Sequence, residues 1–184
     1  NLSNHIKVRT VDWKKLKETI SVVVRGLDNV IDINFYPTEE ARNSNIKNRP
    51  VGLGIMGTHD LLHRLGIFYD SQEAVELCDK IQEFVSLHAI KASALLAKER
   101  GTYNFPIDTY CTLLSERKPV GIEEDKESFE TLEEWDGVRE LVAKYGMRNS
   151  NVMAIAPTAT ISYIQGCSQS IEPDYSVLFV YSTL

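Results

Sequence analysis

A chain of 184 residues is long enough to bury one sizeable core, and 43% hydrophobic with 25% charged residues is the composition of an ordinary soluble globular protein. A net charge of −6 with no Lys/Arg cluster argues against a nucleic-acid backbone as partner, and no apolar run approaches the length of a membrane span. The first residues, Asn1 to Lys7, are too polar for a signal peptide, and three cysteines (Cys78, Cys111 and Cys167) without a CxxC pair point to a reducing cytoplasm.

Val11 to Asp32 is expected to form an amphipathic helix. Leu16, Ile20, Val23, Leu27, Val30 and Ile31 recur at helical spacing, and Asp12 is placed to cap the start. Phe35-Tyr36-Pro37-Thr38 ends it and opens a short polar helix over 39–45. Pro50 to Ile55 reads as a strand running into a glycine-rich turn, followed by a helix from Gly57 to Leu65 that Gly66 closes.

Ser71 opens the longest helix, which ends at Gly101. Val75, Cys78, Ile81, Val85, His88, Ala92 and Leu95 mark its expected buried stripe. From Thr102 to Glu127 the pattern fades into a loop rich in Pro, Gly and charge. Thr131 to Tyr145 is a shorter helix with Leu132, Trp135, Val138, Leu141 and Val142 on its inner side. A strand over 152–156, a polar turn and a final strand over 176–181 complete an α/β order that fits either a barrel or an open sheet, with ligand loops at strand C-termini. No internal repeat or domain boundary stands out.

Four features invite a chemical reading. Gly52-Leu53-Gly54 and Gly57 have the Gly-x-Gly-x-x-Gly spacing of a dinucleotide site between a strand and a helix, but no acidic residue closes a second strand about twenty residues on. Tight packing at a strand-to-helix turn explains these glycines as well. His59 and His63 share a helical face beside Asp60, without the Glu of a zinc motif or a third ligand nearby. His88 and Cys78 lie on the apolar stripe of the long helix and read as a hydrogen-bonded core residue and a small buried hydrophobe. Glu172, between Ile171 and Pro173, reads either as a turn residue held by backbone donors or as a carboxylate that orients a neighbouring loop.

The most informative stretch is Arg148 to Ser162. An apolar run over 152–156 stops at Pro157, and Thr158, Thr160 and Ser162 then place hydroxyls at alternate positions. A strand that empties into a Thr/Ser turn opening a helix is a ready phosphate site, because the amides of the first turn have no helical acceptor and the dipole favours an anion. A Thr cap after a core strand is the plainer alternative.

Four motifs in order carry a family resemblance: Asp32-Ile33-Asn34-Phe35-Tyr36-Pro37 with Asn48-Arg49-Pro50 through Gly57; Leu96-Ala97-Lys98-Glu99-Arg100-Gly101; Lys144 through Ser150; and Ala156-Pro157-Thr158-Ala159-Thr160-Ile161-Ser162 followed by Ser170-Ile171-Glu172-Pro173. Together they resemble the large, catalytic subunit of ribonucleotide reductase, more narrowly the class I bacterial type, from about the first residue to the last.

The resemblance implies the ten-stranded α/β barrel of that family, with residues 1–184 as part of its second half and a single partial barrel domain. The implied reaction is reduction of a ribonucleoside diphosphate at the 2′ carbon through a cysteine thiyl radical. In this chain the resemblance assigns substrate binding to Pro157, Thr158, Ala159, Thr160 and Ile161, with Ser162 as a helper. It assigns no catalytic residue and no metal. The family's radical cysteine sits in an Asn-Leu-Cys-x-Glu motif absent here, so Cys78, Cys111 and Cys167 receive no catalytic role, and Tyr175 and Tyr181 are not the family's radical-transfer pair.

The implied partners are the ribonucleoside diphosphate, the remainder of the large subunit, a radical-generating small subunit with a two-metal centre, and thioredoxin or glutaredoxin as reductant. ATP and dNTP effectors would bind elsewhere in the whole enzyme, and no cofactor is expected on this segment. The missing initiator Met and the apolar, β-rich end suggest a piece of a longer chain or half of a split protein, poorly stable alone. An adenosylcobalamin-dependent (class II) fragment and a non-catalytic phosphate-binding or assembly module remain as alternatives.

Overall fold

The computed structural model describes residues 1–103 and 132–176. These residues fall into two compact units. One comprises Asn1–Trp13, Gly54–Cys78 and Ile155 onward, and the other comprises Lys14–Leu53 and Asp79–Ala154. The expected loop around Cys111 and the expected last strand lie outside the described residues, apart from 102–103 and Ser176.

In the first unit a 3-10 turn, Leu2–Asn4, is capped by the Asn1 side chain, which accepts the Ser3 amide. It leads into an antiparallel hairpin of β1 (Ile6–Lys7) and β2 (Thr10–Val11), with Ile6 opposite Val11. Helix α3 (Thr58–Leu65) packs against the 3-10 turn and buries Leu61 and Leu62. Gly66 closes it as expected at φ 80°, and Gly57, expected as its first residue, stands just before it at φ 74°. Helix α4 (Gln72–Arg100) starts here, with the Ser71 hydroxyl accepting the Ala74 amide as its cap.

The second unit holds all of helix α1 (Trp13–Ile33) except its first residue. Leu16, Ile20, Val24, Asp28 and Ile31 form its buried stripe, so the expected helix is present but an acid sits among the apolar residues. Thr38 caps helix α2 (Glu39–Asn48), which buries nothing and runs past its expected end at Asn45 to a left-handed cap at Arg49.

From Ile81 onward α4 is covered on most sides: Phe84, Val85, Leu87, His88, Ala89, Ala92, Ser93, Ala94, Leu96 and Ala97 are all buried. Helix α5 (Leu132–Tyr145) supplies Trp135, Val138 and Val142 to a cluster with Leu87, Ala94, Tyr103 and Met147. The Trp135 indole satisfies its N–H on Glu83 at 2.8 Å. Three residues assigned to buried stripes prove exposed: Val30 at 51%, Val75 at 60% and Leu95 at 43%. Helical spacing places a residue on a face, but what covers that face decides burial.

The expected strands at 50–55 and 152–156 shrink to a short parallel pairing. Val51 and Leu53 donate to the Asn151 and Val152 carbonyls at 3.0 and 2.9 Å, and Ala154 donates to Leu53 at 3.1 Å, giving a single bridge between Leu53 and Met153. Gly52 permits this approach, since a Cβ there would stand 2.9 Å from the Ala154 Cβ. That is the packing role, and not a dinucleotide turn, for this glycine. Pairing among the described residues ends at Ala154, and Ile155, Ala156 and Pro157 are exposed, so the run 152–156 is not a buried strand here. The described residues thus form six helices, one hairpin and one parallel bridge, leaner in sheet than the α/β barrel expectation.

Candidate functional site

Helix α6 (Ala159–Gln165) follows the polar turn. Its first helical bond runs from the Ser162 amide to the Thr158 carbonyl at 2.9 Å, so the amides of Ala159, Thr160 and Ile161 have no acceptor within the helix. Pro157 and these three residues are exposed, and the structure brings them together on one turn. Of the two hydroxyls expected to add donors, Thr160 is exposed, whereas Ser162 is fully buried and gives its hydrogen to the Ala159 carbonyl at 3.2 Å.

Thr158 caps this helix in an unusual way. It is a β-branched residue at φ 56°, a left-handed conformation that costs about 1–3 kcal/mol. Its hydroxyl does not cap α6 but accepts the Ser170 amide at 2.8 Å. Ser170, itself at φ 43°, receives the hydroxyl of buried Thr58 on its carbonyl at 3.0 Å. Thr58 is the first residue of α3, so one backbone residue links the start of α3 to the start of α6. The Ser170 hydroxyl is buried without a hydrogen-bond partner.

More bonds lace the same segment to α3. The Asp60 carboxylate accepts the Ser168 amide at 2.5 Å, the Ser168 hydroxyl accepts the Asp60 amide at 3.4 Å, and the Gly57 amide reaches the Ser168 carbonyl at 2.9 Å. His59 stands 3.3 Å from the Asp174 carboxylate and edge-on to Tyr69, whose hydroxyl bonds the Ile171 carbonyl.

In the second unit Asp28 anchors the start of both paired segments. Its carboxylate, entirely buried, accepts Arg49 Nε at 2.9 Å, Asn149 Nδ2 at 3.0 Å, and Arg100 and Arg148 at 3.3 Å each. Arg49 also forks onto Asp32 with two bonds of 2.8 Å, and Asn149 takes the Ser93 hydroxyl at 2.9 Å. Burial alone pushes Asp28 up. The Arg49 hydrogen bond, the Arg148 and Arg49 charges and the Asn149 amide outweigh it and hold the carboxyl below its usual range. A cavity of about 590 Å³ lined by Lys47, Arg49, Tyr103 and Arg148 lies in this unit, but both arginines already spend their charge on Asp28.

Residues 1–184 match the family model described as ribonucleotide reductase, barrel domain. The chain belongs to the ribonucleotide reductase family. It is 52% identical over 195 residues to the ribonucleoside-diphosphate reductase subunit alpha of Chlamydia pneumoniae, covering 100% of this chain and 18% of that protein. The corresponding subunit of Helicobacter pylori is 41% identical over 87% of this chain and 21% of its own length. The vitamin B12-dependent ribonucleoside-diphosphate reductase of Thermoplasma acidophilum is 38% identical over 100% of this chain and 20% of its own length. The chain therefore spans about a fifth of the length of these relatives.

In this member of the ribonucleotide reductase family, Cys78 and Cys167 are half-buried, and burial pushes both thiols up, away from the thiolate. Cys111 lies outside the described residues. His63 is exposed, and among the described residues no group of three His, Cys, Asp or Glu is placed to hold a metal. His88 is buried with its ring against Phe84 at 4.3 Å. Glu172 is exposed, and its amide donates to the Gln169 carbonyl.

Asp28 is the residue that reading the sequence missed. The signal was an acid on the apolar stripe of α1, where Val24 and Ile31 flank it at helical spacing. A buried acid at such a position needs cations, and Arg49, Arg100 and Arg148 all stood in the quoted motifs.

Proposed function

We propose that this chain is part of a ribonucleoside-diphosphate reductase large subunit and that the turn from Pro157 to Ser162 holds the substrate diphosphate. The observation that carries the reading is the exposed turn itself, with the Ala159, Thr160 and Ile161 amides free of helical acceptors and Thr158 held in a strained conformation. Membership of the reductase family supports it.

The chemistry assigned to this segment is binding. Amide donors and the Thr160 hydroxyl take the phosphate oxygens in charge-assisted bonds, roughly twice as strong as neutral ones. Holding the diphosphate fixes the ribose for attack by groups elsewhere in the enzyme, and such positioning supplies a large share of a rate enhancement without an acid or base in the turn. The radical originates in a separate small subunit with a two-metal centre, the reacting and redox cysteines come from the remainder of the large subunit, and thioredoxin or glutaredoxin restores the reductant. ATP and dNTP effectors act outside this segment, and the enzyme works in the cytoplasm.

A second reading has one observation behind it, the 38% identity over the whole chain to a vitamin B12-dependent reductase. Dependence of turnover on adenosylcobalamin instead of a small subunit decides for that reading. The turn is tested in the full-length large subunit with Thr160→Asp, which sets a negative charge among the phosphate donors. The KM for ribonucleoside diphosphates should rise at least tenfold, about 1.4 kcal/mol. An unchanged KM means the turn is only a helix start.

A further inference from the structure

Thr158 sits where a β-branched residue does not go of its own accord, at φ 56°, and its hydroxyl makes no cap bond to α6. Something outside the turn must hold it. The bond it makes is to the amide of Ser170, and the carbonyl of the same residue is fixed by the hydroxyl of Thr58. Thr58 and Ser170 are both buried, at 3% and 2% exposure, so the Thr58 bond is shielded from water, while the bond to half-buried Thr158 is shielded from the Ser170 side. The Ser170 side chain takes no part, since its hydroxyl is buried without a partner. The relay therefore runs through Ser170 backbone atoms and rests at each end on a threonine hydroxyl.

α3 is a stable base for such a relay. Gly57 donates to the Ser168 carbonyl, and Asp60 and Ser168 exchange two bonds, so the segment carrying Ser170 is tied to the same first turn of α3. Thr58 does not lie on the exposed turn and belongs to no motif that pointed to phosphate.

We propose that Thr58 is a positioning residue for diphosphate binding, which acts through the Ser170 backbone to keep Thr158 left-handed and the amides of residues 159–161 open to the phosphate. This rests on the proposed role of the turn. Without the Thr58 hydroxyl the Ser170 carbonyl loses its anchor although Ser168 stays tied to α3, Thr158 relaxes toward the ordinary helical or extended regions, and the three amides lose their common orientation. The consequence falls on substrate binding and leaves the chemical step alone.

The test uses the full-length large subunit assayed with its small subunit. Thr58→Val removes the hydroxyl and keeps the shape, and Thr58→Ser keeps the hydroxyl. For Thr58→Val the KM for ribonucleoside diphosphates should rise about two- to tenfold, the worth of one buried hydrogen bond, with kcat little changed. Thr58→Ser should restore the KM. Thr158→Val should give a similar rise, and the double variant Thr58→Val/Thr158→Val should be no worse than either alone, because both cut one relay. An unchanged KM, an equal rise in Thr58→Val and Thr58→Ser, or additive effects in the double variant overturns the proposal.

If Thr58→Val does not fold, Thr158→Val against Thr158→Ser decides: the KM must rise in the first and stay near wild type in the second, and equal values overturn the relay. Thr160→Asp separates the two readings. A KM that responds to Thr160→Asp but not to Thr58→Val leaves the turn as the phosphate site and removes the relay alone, whereas a KM that ignores both removes the turn as well.

Discussion

The side-chain amide of Asn149 donates to the Asp28 carboxylate at 3.0 Å and to the Arg49 carbonyl at 3.1 Å. One side chain thus joins helix α1 to the starts of both paired segments, 50–53 and 151–154. Asp28 is the common acceptor, with three arginines around a carboxylate that has no exposure to solvent.

Removing that carboxylate leaves Arg49, whose own side chain is 5% exposed, with Asp32 as its remaining carboxylate. Breaking a buried ion pair from one side costs about 3–5 kcal/mol. Asp28→Ala should therefore lower the urea midpoint by a large fraction of the total stability, and Asp28→Asn, which keeps an acceptor for Asn149, should lower it less. A loss below about 1 kcal/mol for Asp28→Ala would show that the network is incidental to the fold.

The same groups set an acid limit on stability. Asp28 is held low against the upward push of burial, chiefly by the Arg49 bond and the neighbouring arginines, and Asp32 is held low by its bond to Arg49. Both bind a proton more weakly folded than unfolded, so the unfolded chain takes up more protons in acid and stability rises with pH there. The contribution is complete above the ordinary aspartate value of about 3.9 and is lost as the pH falls from there through the depressed folded values. Glu99, pulled down to about 2 by the Arg25 fork, is exposed and adds little. Thermal melts across this range should show a slope that Asp28→Asn flattens. An unchanged slope in that variant would place the acid sensitivity elsewhere.

Helices were the legible part of the sequence, because their signals are local. Gly57 and Gly66 bound α3, Thr38 caps α2 and Ser71 caps α4 as their residue types dictate. The strands were not legible in the same way. Val152 to Ala156 has strand composition, but a parallel strand needs partners on its edges, and among the described residues only Leu53 bridges to it. The turn at 157–162 was visible as a pattern of hydroxyls, yet the pattern could not tell Thr160, which is exposed, from Ser162, which is buried in its own helix. Thr58 gave no signal and Ser170 only its place in the Ser170-Ile171-Glu172-Pro173 motif, since their link joins residues 112 apart.

Close approach of the paired segments yields a steric prediction. A methyl at Gly52 would lie 2.9 Å from the Ala154 Cβ, closer than real Cβ atoms come. Gly52→Ala should cost about 1–3 kcal/mol by forcing the segments apart. Adding Ala154→Gly vacates the same space, so the double variant should recover much of the loss in urea unfolding. If the two effects simply add, the segments are not in contact at this point.

Ser170 gives the last prediction, and its sign runs against intuition for a buried, hydrogen-bonded residue. Its side chain is a liability on two counts. A non-glycine residue at φ 43° carries a left-handed penalty of about 1–2 kcal/mol, and its hydroxyl is buried without a partner, which forfeits about 1–3 kcal/mol of hydration. Glycine removes both and keeps the amide and carbonyl that bond Thr158 and Thr58. It gives back about 0.5–1 kcal/mol through the freer unfolded chain. The balance favours glycine by about 1 kcal/mol or more, so Ser170→Gly should raise the melting temperature of this chain by about 2–4 °C. A lower melting temperature would mean that the Ser170 side chain contributes packing that outweighs its strain and its lost hydration.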